Sequence, residues 1–261
     1  MVGGVAALVG AKMMGPRIGK YTADGKAVPI PGHNIPMAVL GTFILAFGWF
    51  GFNPGSTLAG TATHIAVIAV NTMLASASGA FGAYLYMVFR FGTPDVSMLC
   101  NGMLAGMVAI TAPCAFVTAP IAIFIGLVAG VLVVVSAMFI ENVLKIDDPV
   151  GASSVHGVCG AWGILSLGLF ADGRYGDGWN GVPGPVRGLF YGDPSQFVAE
   201  CVGLVANICW VGVVTYVALK IAGALAGNRV SIETEQLGLD VPEMGMEGYS
   251  TEALPDLVAK L

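Results

Sequence analysis

Long apolar segments separated by short polar ones make up most of the chain. The most apolar segment, residues 119–140, reads APIAIFIGLVAGVLVVVSAMFI and contains no charged residue. A transmembrane helix needs about 20 mainly apolar residues, so this segment is long enough to cross a bilayer. Five further segments share the pattern: residues 35–53, 62–89, 96–113, 150–171 and 196–226. The pattern predicts six full transmembrane helices rather than the alternating strands, each about ten residues long, of a membrane β-barrel.

The composition supports a membrane protein. The 261 residues are 56% hydrophobic and only 10% charged, whereas a soluble domain carries about 25% charged residues. The mean hydropathy of +0.81 therefore indicates that lipid replaces water over most of the exterior. The five cysteines lie in or beside apolar segments without a CxxC pair. This favours small buried side chains over disulfides or a metal site, and no cofactor is expected.

The first apolar segment is about half as long as a spanning helix. It comprises residues 1–11 and is followed by Lys12, Arg17 and Lys20. A secretory signal peptide carries its positive charges before the apolar stretch, not after it. The segment is therefore expected to be the end of a preceding transmembrane helix.

Lysine and arginine predict the orientation, because cytoplasmic loops of membrane proteins carry an excess of both. With residues 12–34 inside, nine such side chains fall in the inner loops and ends, and two, Arg174 and Arg187, fall outside. The inner set is Lys12, Arg17, Lys20, Lys26, Arg90, Lys145, Lys220, Arg229 and Lys260. We therefore expect a multi-pass protein of the plasma membrane, with a membrane domain over residues 1–227 and a cytoplasmic tail over residues 228–261.

The tail carries much of the acidity. Seven of the 16 Asp and Glu residues lie after residue 232, so the net charge of −5 does not point to a nucleic acid partner. Residues 229–250 are too polar to enter lipid. They are either a solvated terminus or a docking segment that packs under the helices or contacts a soluble regulator.

One predicted span contains an ionisable side chain. Residues 147–163 read DDPVGASSVHGVCGAWG. Asp148 and Pro149 favour a helix start there, because Asp accepts hydrogen bonds from free backbone N–H groups and Pro needs no partner of its own. His156 follows, and an ionisable residue within a span marks a substrate or proton path by default. A core histidine bonded to a neighbouring helix is the alternative, and the residues alone leave both open.

A second segment, residues 41–56, reads GTFILAFGWFGFNPGS and is rich in aromatic residues. Aromatic side chains collect at membrane interfaces, which is one interpretation. The other is a cation site at the outer mouth, because an aromatic face attracts an ammonium-like ion and a hydroxyl accepts its hydrogen bond. Phe52 and Ser56, four residues apart near the outer end of a span, are the candidates.

Four strings occur together in this order: HNIPMAVLGTFILAFGWFGFNPGS, NGMLAGMVAITAPC, DDPVGASSVHGVCGAWG and RVSIETEQLGLDVPEMG. Together they closely resemble the ammonium transporter (Amt/MEP/Rh) family, and most clearly its Amt branch. The resemblance implies an all-α integral membrane protein with an eleven-helix fold of two inverted halves. This chain resembles the C-terminal part of it, about six full helices plus the end of a preceding one. It also implies a homotrimer in membrane lipid, with one pore per subunit.

The resemblance implies roles for four residues. His156 is similar to the second of the family's twin pore histidines, and Phe52 to one of two stacked phenylalanines that gate the pore. Ser56 resembles the serine of the external recruitment site, and Leu45 an apolar pore-wall residue on the inner side of the gate. The tail is similar to a cytoplasmic segment that contacts a PII-type nitrogen-signalling protein in many members.

The implied function is transport of ammonium or ammonia through a hydrophobic pore. Aromatic faces and the serine hydroxyl would hold ammonium outside, and the substrate would shed its water at the gate. A proton would then leave, because charge in an apolar pore is costly. The two histidines would hold the substrate and relay the proton, since one imidazole exchanges only one proton at a time.

The resemblance places several family residues before Met1, among them the other twin histidine and the first gating phenylalanine. His33, in an inner loop, and His64, near an outer helix end, are not expected to replace that histidine. The chain alone is therefore expected not to transport. The alternatives are an ammonium sensor or non-transporting fragment, an Rh-type role, and an unrelated structural membrane protein. An enzyme is not expected, because the sequence has no nucleophile–base pair, phosphate loop or metal-ligand spacing.

Overall fold

The computed structural model describes residues 1–178 and 182–249. In these two ranges the chain is helical, and extended backbone pairs only at two isolated bridges. The helices are α1 (Val2–Met14), α2 (Ile35–Phe52), α3 (Ile65–Phe91), α4 (Val96–Thr111), α5 (Ala119–Asn142), α6 (Cys159–Phe170), α7 (Pro194–Ala226) and α8 (Ile232–Leu237). The all-helical fold that the apolar pattern predicts is thus confirmed for the described part of the chain.

Five helical segments are long and apolar enough to cross a membrane. They include the short turns that continue some helices, and they are Ile35–Thr57, Ile65–Phe91, Ala119–Asn142, Ser153–Phe170 and Pro194–Ala226. The other predicted span is α4, whose 16 residues fall short of the usual length of about 20. It ends at Thr111 because Pro113 lacks a backbone donor and disfavours helix in the residue before it. The chain is a multi-pass membrane protein, but one of the six predicted helices is shorter than expected.

Helices α3, α4 and α5 pack against one another through backbone rather than side chains. A Cβ atom added at Gly130 of α5 would lie 2.0 Å from the carbonyl oxygen of Gly79 in α3. One added at Gly106 of α4 would lie 2.0 Å from the carbonyl oxygen of Ala75. Only glycine permits such an approach, and contact between small residues is a principal way for helices to associate in lipid.

The loop between α1 and α2 is tied to the far end of α5. The ammonium group of Lys20 forms an ion pair with Glu141, and the Tyr21 hydroxyl donates to the Glu141 carbonyl oxygen at 3.0 Å. These contacts bring residues from the first and second halves of the chain together on the side that the lysine and arginine distribution predicts to be cytoplasmic.

The described part of the tail contacts this same loop. The Glu235 carboxylate of α8 accepts a hydrogen bond from the Ile18 amide at 2.8 Å and is held by the guanidinium of Arg229. Further along, the Tyr249 hydroxyl lies 3.0 Å from Nε2 of His33. Of the two interpretations that the sequence leaves open, docking under the helices describes residues 229–249 better than a free terminus. Residues 250–261 lie outside the described ranges.

The helix that carries His156 begins later than predicted. Pro149 lies in a turn and the helical backbone starts at residue 152, so the expectation that Pro149 is the first helical residue is wrong. Asp148 still acts as the cap, because its two carboxylate oxygens accept from the amides of Ala152 and Ser153 at 3.0 and 2.7 Å. A carboxylate that accepts free amides in this way stabilises the start of a helix.

Candidate functional site

His156 lies in a π-helical turn, Ser153–Val158, that leads directly into α6. The Cys159 amide bonds to the carbonyl oxygen of Ser154, five residues back. Such turns are rare and recur at functional sites. The turn also buries the hydroxyls of Ser153 and Ser154, which have no hydrogen-bond partner among the described residues. A buried, unpartnered hydroxyl costs stability, so this local structure is not optimised for stability alone.

Helix α1 packs closely behind the turn. A Cβ atom added at Gly4 would lie 2.0 Å from the amide nitrogen of Gly157, the residue after His156. The glycine spacing in residues 157–163 indicates a face open to close approach, and the structure identifies α1 as one of its neighbours.

The outer end of α2 carries Phe52 and Ser56. Phe52 is the last residue of the helix, and its side chain is 53% exposed. The next residue, Asn53, is buried and donates to the Thr72 hydroxyl of α3 at 3.1 Å, which fixes the end of the helix. Ser56 lies in the following 3₁₀ turn, and its hydroxyl donates to the Phe52 carbonyl oxygen at 2.5 Å. The oxygen of Ser56 keeps its capacity to accept a hydrogen bond.

Trp49 joins α2 to α4. Its indole N–H donates to the Thr111 hydroxyl at 3.1 Å, and its ring lies 5.8 Å from that of Phe52, centroid to centroid. The Thr111 hydroxyl in turn donates to the Met107 carbonyl oxygen at 2.7 Å. This contact was not predicted, because a hydrogen bond between residues 62 positions apart leaves no periodic signal in the sequence.

Phe52 and His156 meet at one cavity. Its volume is about 340 Å³, and its walls come from α1, α2, α4 and the His156 helix. The lining residues are Met1, Trp49, Phe52, Val108, Thr111, Ala112, His156, Gly160 and Ile164. No hydrogen bond joins the imidazole to another side chain or to backbone within the ranges 1–178 and 182–249. An aromatic residue and a half-buried histidine thus face a mainly apolar space.

The other two predicted site residues do not line this cavity. Leu45 lies seven residues before Phe52, on a similar face of α2, but its side chain is 52% exposed and outside the cavity walls. Ser56 contacts the backbone of Phe52 and also lies beyond the walls. The structure therefore brings together two of the four residues to which the resemblance assigns roles. Roles for Leu45 and Ser56 stay predictions.

The two remaining histidines have separate environments. His33 contacts Tyr249 of the tail. His64 immediately precedes α3, places Nε2 2.8 Å from the Ala115 carbonyl oxygen, and stacks on Tyr175 with centroids 3.9 Å apart. Neither lines the cavity with His156.

An ion pair lies close in sequence to the capped end of the His156 helix. The guanidinium of Arg17 holds both carboxylate oxygens of Asp147, with Nε 2.8 Å and Nη2 2.9 Å away. This hydrogen bonding raises the pKa of Arg17. Burial alone would raise the pKa of Asp147, but the hydrogen bonds and charge of Arg17 hold it below the ordinary value for aspartate. Both groups are therefore charged at neutral pH.

Apolar walls and the imidazole of His156 set the chemistry of the cavity. Over residues 1–178 and 182–249, no group of three His, Cys, Asp or Glu side chains is arranged to hold a metal. An apolar space penalises charge, and the imidazole of His156 is a group that can both accept and donate a proton.

Comparison with known proteins identifies a family. Residues 1–249 match the Ammonium Transporter Family. Ammonium transporter Amt2 of Archaeoglobus fulgidus is 45% identical over 95% of this chain and 53% of its own length. Ammonium transporter 1 member 1 of Solanum lycopersicum is 37% identical over 98% of this chain and 55% of its own length. The chain thus spans about half the length of the curated relatives it matches.

Solved structures show the same helix arrangement. A protein described as "Sensor Amt Protein" superposes with a TM-score of 0.83 at 38% identity, over 93% of this chain and 57% of that one. Mep2 of Saccharomyces cerevisiae superposes with a TM-score of 0.77 at 30% identity, over 88% of this chain and 52% of that one. The resemblance that the four sequence strings indicate is confirmed.

Proposed function

Because the chain belongs to the Ammonium Transporter Family, whose members are transporters rather than enzymes, we propose that it forms part of a pore that moves ammonium or ammonia across the plasma membrane. The shared cavity of Phe52 and His156 carries this proposal. The resemblance assigns these residues to the gate and to the histidine site of one pore, and they would have to face a common space to serve together.

The proposed path runs from Ser56 past Phe52 to His156. Ammonium is held first by the Ser56 oxygen and the aromatic face of Phe52, through a hydrogen bond and a cation–π contact. Passage beyond Phe52 removes its water, and the apolar walls make the charged form costly. The substrate therefore gives a proton to the imidazole of His156, which passes it on, and continues as ammonia. His156 holds the neutral species and takes part in proton transfer, and Leu45 contributes apolar wall on the inner side.

The assembly that we propose extends beyond this chain. The exposed apolar surface of α2 suits burial against further helices of an eleven-helix inverted-repeat fold, assembled as a trimer. Residues 1–227 form the membrane domain, and residues 228–261 form a cytoplasmic tail suited to contact with a PII-type regulator. The excess of lysine and arginine on the tail side supports this orientation.

Radiolabelled methylammonium, a transportable analogue of ammonium, tests the function. The whole native reading frame is expressed in a host that lacks ammonium transporters. Uptake is then measured for the wild type, for His156→Ala and for His33→Ala. We expect saturable uptake that ammonium inhibits, lost in His156→Ala and retained in His33→Ala, because His33 lies outside the cavity. If cells that express the wild-type gene take up no more methylammonium than cells without it, the proposal is contradicted.

A further inference from the structure

Arg17 and Asp147 meet across 130 positions of the chain. Besides the two guanidinium bonds, the Arg17 backbone amide donates to Asp147 Oδ2 at 3.0 Å. The Asp147 side chain is only 2% exposed, whereas that of Arg17 is 36% exposed. Three hydrogen bonds on one nearly buried carboxylate are more than a surface ion pair provides, and they fix the position of residue 147.

The next residue caps the helix of His156. Asp148 accepts the amides of Ala152 and Ser153, where the π turn that contains His156 begins. Residue 147 is joined to Asp148 by one peptide unit. A shift of residue 147 is therefore expected to move the Asp148 carboxylate that caps the helix. Another contact also holds the segment between Asp147 and the helix, because the side-chain amide of Asn101 in α4 donates to the Val150 carbonyl oxygen at 3.1 Å.

We propose that Arg17 is a positioning residue for His156, acting through Asp147 and the Asp148 cap on the π turn. This inference rests on the function proposed for His156. It gives the loop between α1 and α2 a part in the transport site, although Arg17 does not line the cavity.

Loss of Arg17 would leave a buried carboxylate without its charged partner. An unpaired buried charge is strongly unfavourable, so Asp147 moves toward water, away from its buried position, or takes up a proton. Either change releases residue 147 and shifts the cap of Asp148. Small displacements of a reacting group can slow a process by about 10- to 100-fold, and the imidazole of His156 lies only eight residues beyond Asp148.

The loop offers a matched control. Asp24 also pairs with a cation, Lys26, at 2.9 Å, but both side chains are largely exposed, at 59% and 81%. The substitution Asp24→Asn removes an ion pair from the same loop without touching the segment from residue 147 to His156. It is expected to leave the transport site unchanged.

The first test measures position directly. His156→Cys is made in a background in which the five native cysteines are replaced by alanine. A small cationic methanethiosulfonate reagent is then added, and its rate of reaction with the introduced thiol is recorded. We expect Arg17→Ala to change this rate at least about fivefold, and Asp24→Asn to leave it within about twofold. Equal rates with and without Arg17 would overturn the proposal, whether or not the protein transports.

The second test measures transport in proteins that keep His156. Arg17→Ala is expected to lower the maximal rate of methylammonium uptake by about 10-fold or more, with KM and the amount of protein in the membrane close to wild type. The charge reversal Arg17→Asp with Asp147→Arg should restore part of the rate. A rate that falls only in proportion to the amount of protein would assign Arg17 to stability alone. Absence of uptake by the wild type would instead contradict the proposed function. The rate of thiol modification would then still decide whether Arg17 positions residue 156.

Discussion

Helices α2 and α3 are both long and apolar, yet they are packed very differently. Within their most apolar stretches, 44% of the residues of α3 are buried but only 11% of those of α2. Gly79 of α3 meets the backbone of α4 and α5, whereas a Cβ atom added at Gly48 of α2 would have nothing within 4 Å. Apolar character therefore predicts that a helix enters the membrane, whereas its contacts determine how much of it the described part of this chain covers.

The candidate site joins these two kinds of environment. His156 belongs to a closely packed segment, with Gly157 in backbone contact with Gly4. Phe52 ends the lightly packed α2, and Ser56 lies in the turn that follows it. Substitutions that add volume on the packed side should affect folding, and removal of the His156 imidazole there should affect mainly transport. Substitutions on α2 should affect mainly the recognition of substrate.

The largest effect is expected at the packed side of the cavity. His156→Ala removes the imidazole that lines the cavity in the described part of the chain, and loss of a group that exchanges a proton lowers rates by about 100-fold or more. Methylammonium uptake should fall accordingly, while the amount of protein in the membrane stays near wild type. His64→Ala, outside this cavity, should retain uptake within about twofold of wild type. Wild-type uptake by the His156→Ala variant would show that His156 takes no part in transport.

The difference in packing between α2 and the α3–α5 contact can be tested by replacing one glycine with alanine in each, which adds a single methyl group. Gly130→Ala forces a Cβ atom against the Gly79 carbonyl oxygen and should destabilise the protein by about 1–3 kcal/mol. Gly48→Ala, with open space around it, should be neutral or stabilise by up to about 1 kcal/mol, because alanine favours helix. Thermal unfolding in detergent measures both. A similar loss of stability in the two variants would show that α2 is packed as closely as α3.

A smaller effect is expected at the proposed gate on α2. Phe52→Ala removes an aromatic face worth about 1.4 kcal/mol toward a partly desolvated cation, so KM for methylammonium should rise about tenfold. Phe47→Ala is the control, because Phe47 lies on the same helix, is 79% exposed and does not line the cavity. An equal rise in KM for both would assign the effect to α2 as a whole rather than to the gate.

The smallest effect is expected at the outer turn. Ser56→Ala removes one acceptor, and a single hydrogen bond contributes about 1 kcal/mol, so KM should rise about fivefold. Thr57→Ala removes a hydroxyl from the same 3₁₀ turn, one that donates to the Pro54 carbonyl oxygen, and should leave KM unchanged. No difference between the two variants would argue against a role for Ser56 in recruitment.

Much of the fold follows from the apolar pattern, because a spanning helix needs only length and composition. The string around His156 also carries its own signals, since Asp148 and the glycines that follow indicate a capped helix with a face open to close approach. The bond between Trp49 and Thr111 and the three bonds between Arg17 and Asp147 could not be predicted. They join positions far apart in sequence, and only the packing of the helices brings them together.

The central claim is that Phe52 and His156 line one path for ammonium. It is tested by measuring how fast a cationic methanethiosulfonate reagent modifies the thiol introduced by Phe52→Cys or by His156→Cys, with ammonium or with the same concentration of choline present. Phe47→Cys serves as the control. A shared path predicts that ammonium slows modification at positions 52 and 156 but not at position 47. Modification at position 156 at the same rate in ammonium and in choline would contradict it.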